Sequence, residues 1–157
     1  MDKILKLLLS ILICQVAGIL GSIFTTPAIP TWYLQLNKPP FTPPNWLFAR
    51  AWTTLFLLMG ISLYLVWNQG WENKQVKKAI LIFAIQLILN ILWSFIFFTL
   101  KSLLFAFIEI IILWIAILLT IINFQKVSKP SAYLLLPYLF WVSFASVLNF
   151  SLLTLNS

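Results

Sequence analysis

Charge is scarce in this 157-residue chain. Acidic and basic residues make up 8% of it, where soluble domains carry roughly a quarter. Histidine is absent, which excludes His-ligated haem, His-containing metal sites and a Ser-His-Asp triad. The one cysteine, Cys14, rules out an intrachain disulfide. There are three carboxylates, Asp2, Glu72 and Glu109, and only Glu109 falls inside an apolar run. No metal site is expected from so few ligands. Four scattered glycines form no phosphate-binding loop.

What is there is hydrophobic: 62% of the residues. Five apolar stretches, each long enough to cross a hydrocarbon core of roughly 30 Å as a helix, fill most of the chain. They predict spans at about 4–25, 45–67, 79–99, 102–124 and 131–154, forming an all-α membrane bundle within a single domain, 1–157. The first stretch resembles a signal peptide, with Lys3 and Lys6 ahead of it. It runs on to Phe24, however, past the length of a signal core, so a retained helix is expected. The net charge of +7 does not argue for nucleic acid, because the basic residues sit between apolar runs.

Their distribution predicts sidedness. Lys3, Lys6, Lys74, Lys77, Lys78, Lys126 and Lys129 fall on one side, and Lys38, Arg50 and Lys101 on the other. This places the N-terminus in the cytoplasm and the C-terminus outside, in a bacterial-type cytoplasmic membrane. The connection between helices 1 and 2, the longest, is then external. Six of the eight prolines lie in it between Pro27 and Pro44, interleaved with Trp32, Tyr33, Phe41 and Trp46. Proline lowers the entropy lost on ordering, and aromatics supply surface to pack. Either this is an interfacial aromatic belt or it is a stiff lid over a cavity.

Polar side chains in bilayer helices usually face the bundle or a cavity. Helix 3 lines up Gln86, Asn90, Trp93, Ser94 and Phe97 on one face; helix 5 lines up Tyr138, Trp141, Ala145 and Asn149; helix 2 lines up Trp52, Phe56 and Gly60, with Thr53 alongside. One reading makes the amides cross-links between helices, worth roughly 0.6 kcal/mol each. The other brings the three stripes together around an aromatic pocket for a planar, largely apolar ligand. Glu109 is either buried, and then neutralised or paired, or close enough to the outer interface to be hydrated. Cys14, Ala17, Gly18 and Gly21 give helix 1 a face of small residues that permits close approach, within the monomer or in a dimer.

Taken together, these motifs resemble the TspO/MBR family of tryptophan-rich sensory proteins, which includes the mitochondrial translocator protein (peripheral benzodiazepine receptor). The resemblance runs through Trp32-Tyr33-x-x-Leu36-x-Lys38-Pro39-x-Phe41-x-Pro43-Pro44, Trp46-x-Phe48-x-x-x-Trp52-Thr53 and Met59-Gly60. It continues through Gln86-Leu87-x-Leu89-Asn90-x-x-Trp93-Ser94 and Pro137-Tyr138-x-x-Trp141-x-x-Phe144-Ala145-x-x-x-Asn149. It implies a five-helix bundle, often a homodimer, with the first loop capping a ligand cavity. The lid residues would be Trp32, Tyr33, Lys38, Pro39, Phe41, Pro43 and Pro44. The implied ligands are porphyrins such as protoporphyrin IX and haem, and isoquinoline-carboxamide drugs, within membrane lipid; no cofactor is obligatory. By motif, the ligand residues would be Tyr33, Trp52, Phe56, Asn90, Trp141 and Ala145. Some bacterial members promote light-dependent porphyrin breakdown, in which the tryptophans matching Trp52 and Trp141 are implicated as photochemical donors.

Two positions depart from the family pattern. Arg50 stands where proline is usual; it would either meet a porphyrin propionate or snorkel to the interface. The animal sterol motif is not supported, because its tyrosine is replaced by Phe150 and no basic residue follows. The resulting expectation is a membrane tetrapyrrole-binding protein, a sensor, scavenger or regulator in porphyrin metabolism and stress response. A light-dependent porphyrin-degrading enzyme and a transporter are the alternatives. The absence of a titratable dyad among the cavity stripes argues against acid–base catalysis.

Overall fold

A computed structural model describes residues 2–157, and among these the secondary structure is helical, without strands. Helix α1 spans Lys3–Ala28; a short 3₁₀ turn at Tyr33–Gln35 follows in the first loop. Helix α2 spans Asn45–Trp67, with Pro44 in extended conformation at its N-cap. Helix α3 spans Lys74–Ser94 and continues as a π-helical segment over Phe95–Thr99. Helix α4 spans Leu103–Gln125; α5, Lys129–Leu134, and α6, Leu136–Leu155, together make the fifth span. Five helical segments are therefore long and apolar enough to cross a membrane, making this a multi-pass membrane protein.

The third helix begins five residues before the apolar run that predicted it. The Asn73 side chain caps it, accepting from the Gln75 N–H at 2.8 Å, and its first turns carry Lys74, Lys77 and Lys78 in polar surroundings. Hydropathy marks only the stretch apolar enough to lie in lipid; the helix itself starts earlier, on exposed lysines. At its other end the wide π turn leads into a short reversal in which Lys101 adopts φ of 57°. Ser102 then caps α4 by accepting from the Phe105 N–H.

Near the lysine-rich end the core is filled by large apolar side chains, including a stacked Phe83–Phe124 pair with centroids 5.6 Å apart. Here α1 and α2 nearly touch. A Cβ placed on Gly60 would lie 2.7 Å from the Ile11 Cα. The small face of α1 serves this packing: Cys14 and Ala17 are buried, and Gly18 lies against the Phe56 ring. The fifth span breaks at Leu135, just before Pro137, whose missing N–H and fixed φ interrupt the helical ladder. The break lets α5 pack on α2 while α6 leans on α4. Towards the end opposite the lysine-rich one, the bundle is less tightly filled.

Candidate functional site

The space left there is a cavity of about 300 Å³, walled by α1, α2, α3 with its π-helical extension, and α6, and topped by Tyr33 from the first loop. That volume falls at the lower end of the usual range for small-molecule sites. Neither α4 nor α5 contributes to its wall. At the rim, Ile19 and Ser22 of α1 and Ala49 and Thr53 of α2 are exposed, so the cavity opens sideways between these two helices. The rim hydroxyls are satisfied within their own helices, Ser22 by the Ile19 carbonyl at 2.7 Å and Thr53 by the Ala49 carbonyl at 2.8 Å. They can face lipid without water.

The back wall is aromatic. Trp52 and Trp141 stand at 88° to one another with centroids 6.4 Å apart, and Phe56 lies 5.7 Å from Trp52. The two indoles form a right-angled corner: a flat ligand stacked on one meets the edge of the other, which is the geometry their quadrupoles favour. Phe48 lies between Trp141 and Tyr33, at 6.0 and 6.5 Å. Two donors in this wall are buried without any hydrogen-bond partner among the described residues: Trp141 Nε1 and Tyr33 Oη. Burial pushes the Tyr33 phenol up to about 12, so it remains a neutral donor at any ordinary pH.

All six residues singled out as ligand residues, Tyr33, Trp52, Phe56, Asn90, Trp141 and Ala145, line this one cavity. Their stripe neighbours divide differently. Asn90 Nδ2 donates to Tyr138 Oη at 2.7 Å, and Tyr138 Oη donates to Gln86 Oε1 at 2.7 Å, a buried chain tying α3 to α6. Trp93 Nε1 donates to Asn149 Oδ1 at 3.1 Å, and Asn149 Nδ2 to the Leu103 carbonyl at 3.0 Å. Cross-linking and cavity lining thus coexist on the same faces. Gln86, Tyr138 and Gly60 are outside the wall. So is Glu109, which is buried on α4 with both oxygens lacking a partner among the described residues.

The first loop is folded onto the bundle. Trp32 meets Phe97 at 5.6 Å and Phe41 meets Phe144 at 6.2 Å, while Pro39 is buried. Lys38 Nζ donates to the Leu34 and Leu36 carbonyls and sits 4.8 Å from the centre of the Tyr33 ring, holding that ring from above. Pro43 and Pro44 lead into α2. Of these residues only Tyr33 reaches the cavity. Arg50 does not: its guanidinium lies 5.4 Å from the Trp46 ring, on the exposed side of α2.

Sequence reasoning missed two contributions. The α1 wall, with Gln15, Ser22 and Thr25, is hidden in an apolar run because its hydroxyls bond their own helix. The loop is also clamped to the end of α6: Asn156 Oδ1 accepts from the Asn37 N–H, and Asn156 Nδ2 donates to the Asn37 carbonyl, each at 2.9 Å.

The model of the TspO/MBR family matches residues 10–155. A tryptophan-rich protein TspO from Chlorobaculum tepidum is 47% identical over 98% of both chains. One from Archaeoglobus fulgidus is 50% identical over 99% of both. A translocator protein from Ovis aries is 36% identical over 85% of this chain and 79% of its own.

Proposed function

The chain belongs to the TspO/MBR family, and from that premise we propose that it is a membrane-embedded binding protein for porphyrin-like tetrapyrroles, acting as a sensor, scavenger or regulator of porphyrin metabolism. One observation carries the reading: a right-angled indole corner whose wall also holds two buried donors lacking partners. A buried donor without an acceptor costs about 1–3 kcal/mol. A ligand that brings an acceptor to Trp141 Nε1 and Tyr33 Oη recovers that energy while its flat face covers the indoles. Protoporphyrin combines a planar apolar ring with carboxylate edges and meets both demands; an aromatic amide such as an isoquinoline carboxamide meets them on a smaller scale. The partners are thus small apolar molecules that partition into lipid.

Quenching of tryptophan fluorescence in the purified protein by a panel of tetrapyrroles tests this. Saturable quenching that Trp141→Ala weakens is the expected result; quenching indifferent to that change removes the assignment.

The contact between Trp52 and Trp141 favours a second reading, light-dependent degradation. An excited porphyrin against Trp52 could take an electron from it, and the neighbouring indole could share the resulting hole. Illumination with and without oxygen separates the two readings, since a binder leaves the ligand spectrum intact.

A further inference from the structure

We propose that the lysine-rich end of the bundle carries a site for an anionic phospholipid, seated in a groove where α1, α2 and α3 meet. The groove has a volume of about 350 Å³ and lies apart from the cavity described above. Leu63 forms its floor, Ile13 and Ile80 its walls, and the indoles of Trp67 and Trp71 close its end towards the membrane surface. Leu63 is 6% exposed and Ile13 48%, so the groove has a buried floor and an open side that faces lipid.

Two ammonium groups stand at the indole end. Lys6 Nζ lies 5.9 Å from the centre of the Trp67 ring, and Lys77 Nζ 6.0 Å from that of Trp71. Contacts of this kind restrain a cation over an aromatic face. Ile13 is two turns above Lys6 on α1, about 10 Å along the axis. That depth lies within one leaflet, whose hydrocarbon layer is about 15 Å thick. The groove thus sets two positioned cations at headgroup level and an apolar channel below them, in the order in which a phospholipid carries its phosphate and its acyl chain.

Charge selects this occupant over others. Lys3, Lys6, Lys74, Lys77, Lys78, Lys126 and Lys129 gather at this end against two carboxylates, Asp2 and Glu72. A lysine held beside the bound headgroup raises affinity for anionic lipid roughly fivefold, whereas the more distant ones set only the overall sign of the field. A zwitterionic headgroup brings its own ammonium and gains less. A second copy of this chain, docked by the same face, would bring the same positive charge. Topology alone accounts for the number of lysines, but not for two of them standing over indoles at the mouth of a groove.

Native mass spectrometry of the full chain in mixed phosphatidylglycerol and phosphatidylcholine tests the site. The wild type should retain phosphatidylglycerol preferentially. Lys6→Gln with Lys77→Gln should weaken that retention on the order of twentyfold. Lys126→Gln with Lys129→Gln, which removes the same charge elsewhere, should leave it nearly unchanged. Ile80→Trp, filling the channel with all lysines intact, should also lose it. Equal losses in the two lysine pairs would indicate diffuse attraction and overturn the site, as would full retention in Ile80→Trp. A dimer that Ile80→Trp converts to monomer, with lipid retention untouched, would make a second copy the occupant and equally overturn it. Thermal melts and the tetrapyrrole titration, run on the same variants, separate a lost site from a lost fold. Should Ile80→Trp fail to fold, Ile13→Trp on the exposed wall takes its place.

Discussion

Trp141 lines the cavity and also carries a buried N–H without a partner among the described residues, and the ring and the donor can be removed separately. Trp141→Ala or Trp52→Ala deletes a contact wall and should weaken protoporphyrin binding by roughly 1–3 kcal/mol in a fluorescence titration. Trp141→Phe keeps a ring and loses one donor, so the expected loss is about 1 kcal/mol; Tyr33→Phe should behave alike. Because the Tyr33 phenol sits at about 12, its donor is intact at neutral pH and is lost only as pH climbs towards that value. Its contribution should therefore be flat between about pH 6 and 9, and a difference between wild type and Tyr33→Phe that changes across that range would assign the donor elsewhere. Asn90→Leu has a double effect, since it also strips Tyr138 of a buried partner. It should lower the melting temperature more clearly than it lowers affinity. In the photochemical reading, Trp52→Phe and Trp141→Phe should bind porphyrin but slow its light-driven loss.

Gly60 fixes how closely α1 and α2 approach, because a side chain there meets Ile11 backbone rather than a movable side-chain tip. Gly60→Leu should push the helices apart and destabilise the protein by several kcal/mol, read as a large fall in melting temperature. The Asn37–Asn156 pair acts on another element. Asn156→Ala removes both reciprocal hydrogen bonds, and it should speed hydrogen exchange across residues 30–44 and raise the porphyrin dissociation rate while barely moving the global melt. Unchanged exchange would show that aromatic packing alone holds the loop. Such pairs explain where the sequence could and could not be read. Apolar runs mark the spans because the bilayer demands them, and Gln86, Asn90, Trp141 and Asn149 mark inward faces because polar groups are costly in lipid. The Asn37–Asn156 contact joins residues 119 apart and leaves no periodic trace. The π-helical widening at Phe95–Thr99 falls on Phe-Ile-Phe-Phe-Thr, which holds no glycine or proline to mark it.

For the whole molecule, the lysine asymmetry predicts a cytoplasmic N-terminus and an external C-terminus; a reporter fused after Ser157 should behave as exported, and a cytoplasmic signal would invert the bundle and its loop. The cavity lies in the half remote from the lysine-rich end and is reached from the side, between the exposed rims of α1 and α2. A ligand entering there comes from the hydrocarbon, so what fills the site is its mole fraction in lipid rather than its molarity in water. Apparent dissociation constants should then rise in proportion to the detergent or lipid supplied, as the added phase dilutes the ligand. Ranking ligands by aqueous affinity would mostly rank their partition coefficients. Selectivity in the protein itself emerges only when titrations are expressed per lipid, and on that scale a weakly lipophilic compound that satisfies the orphaned donors can outrank a greasier one that does not.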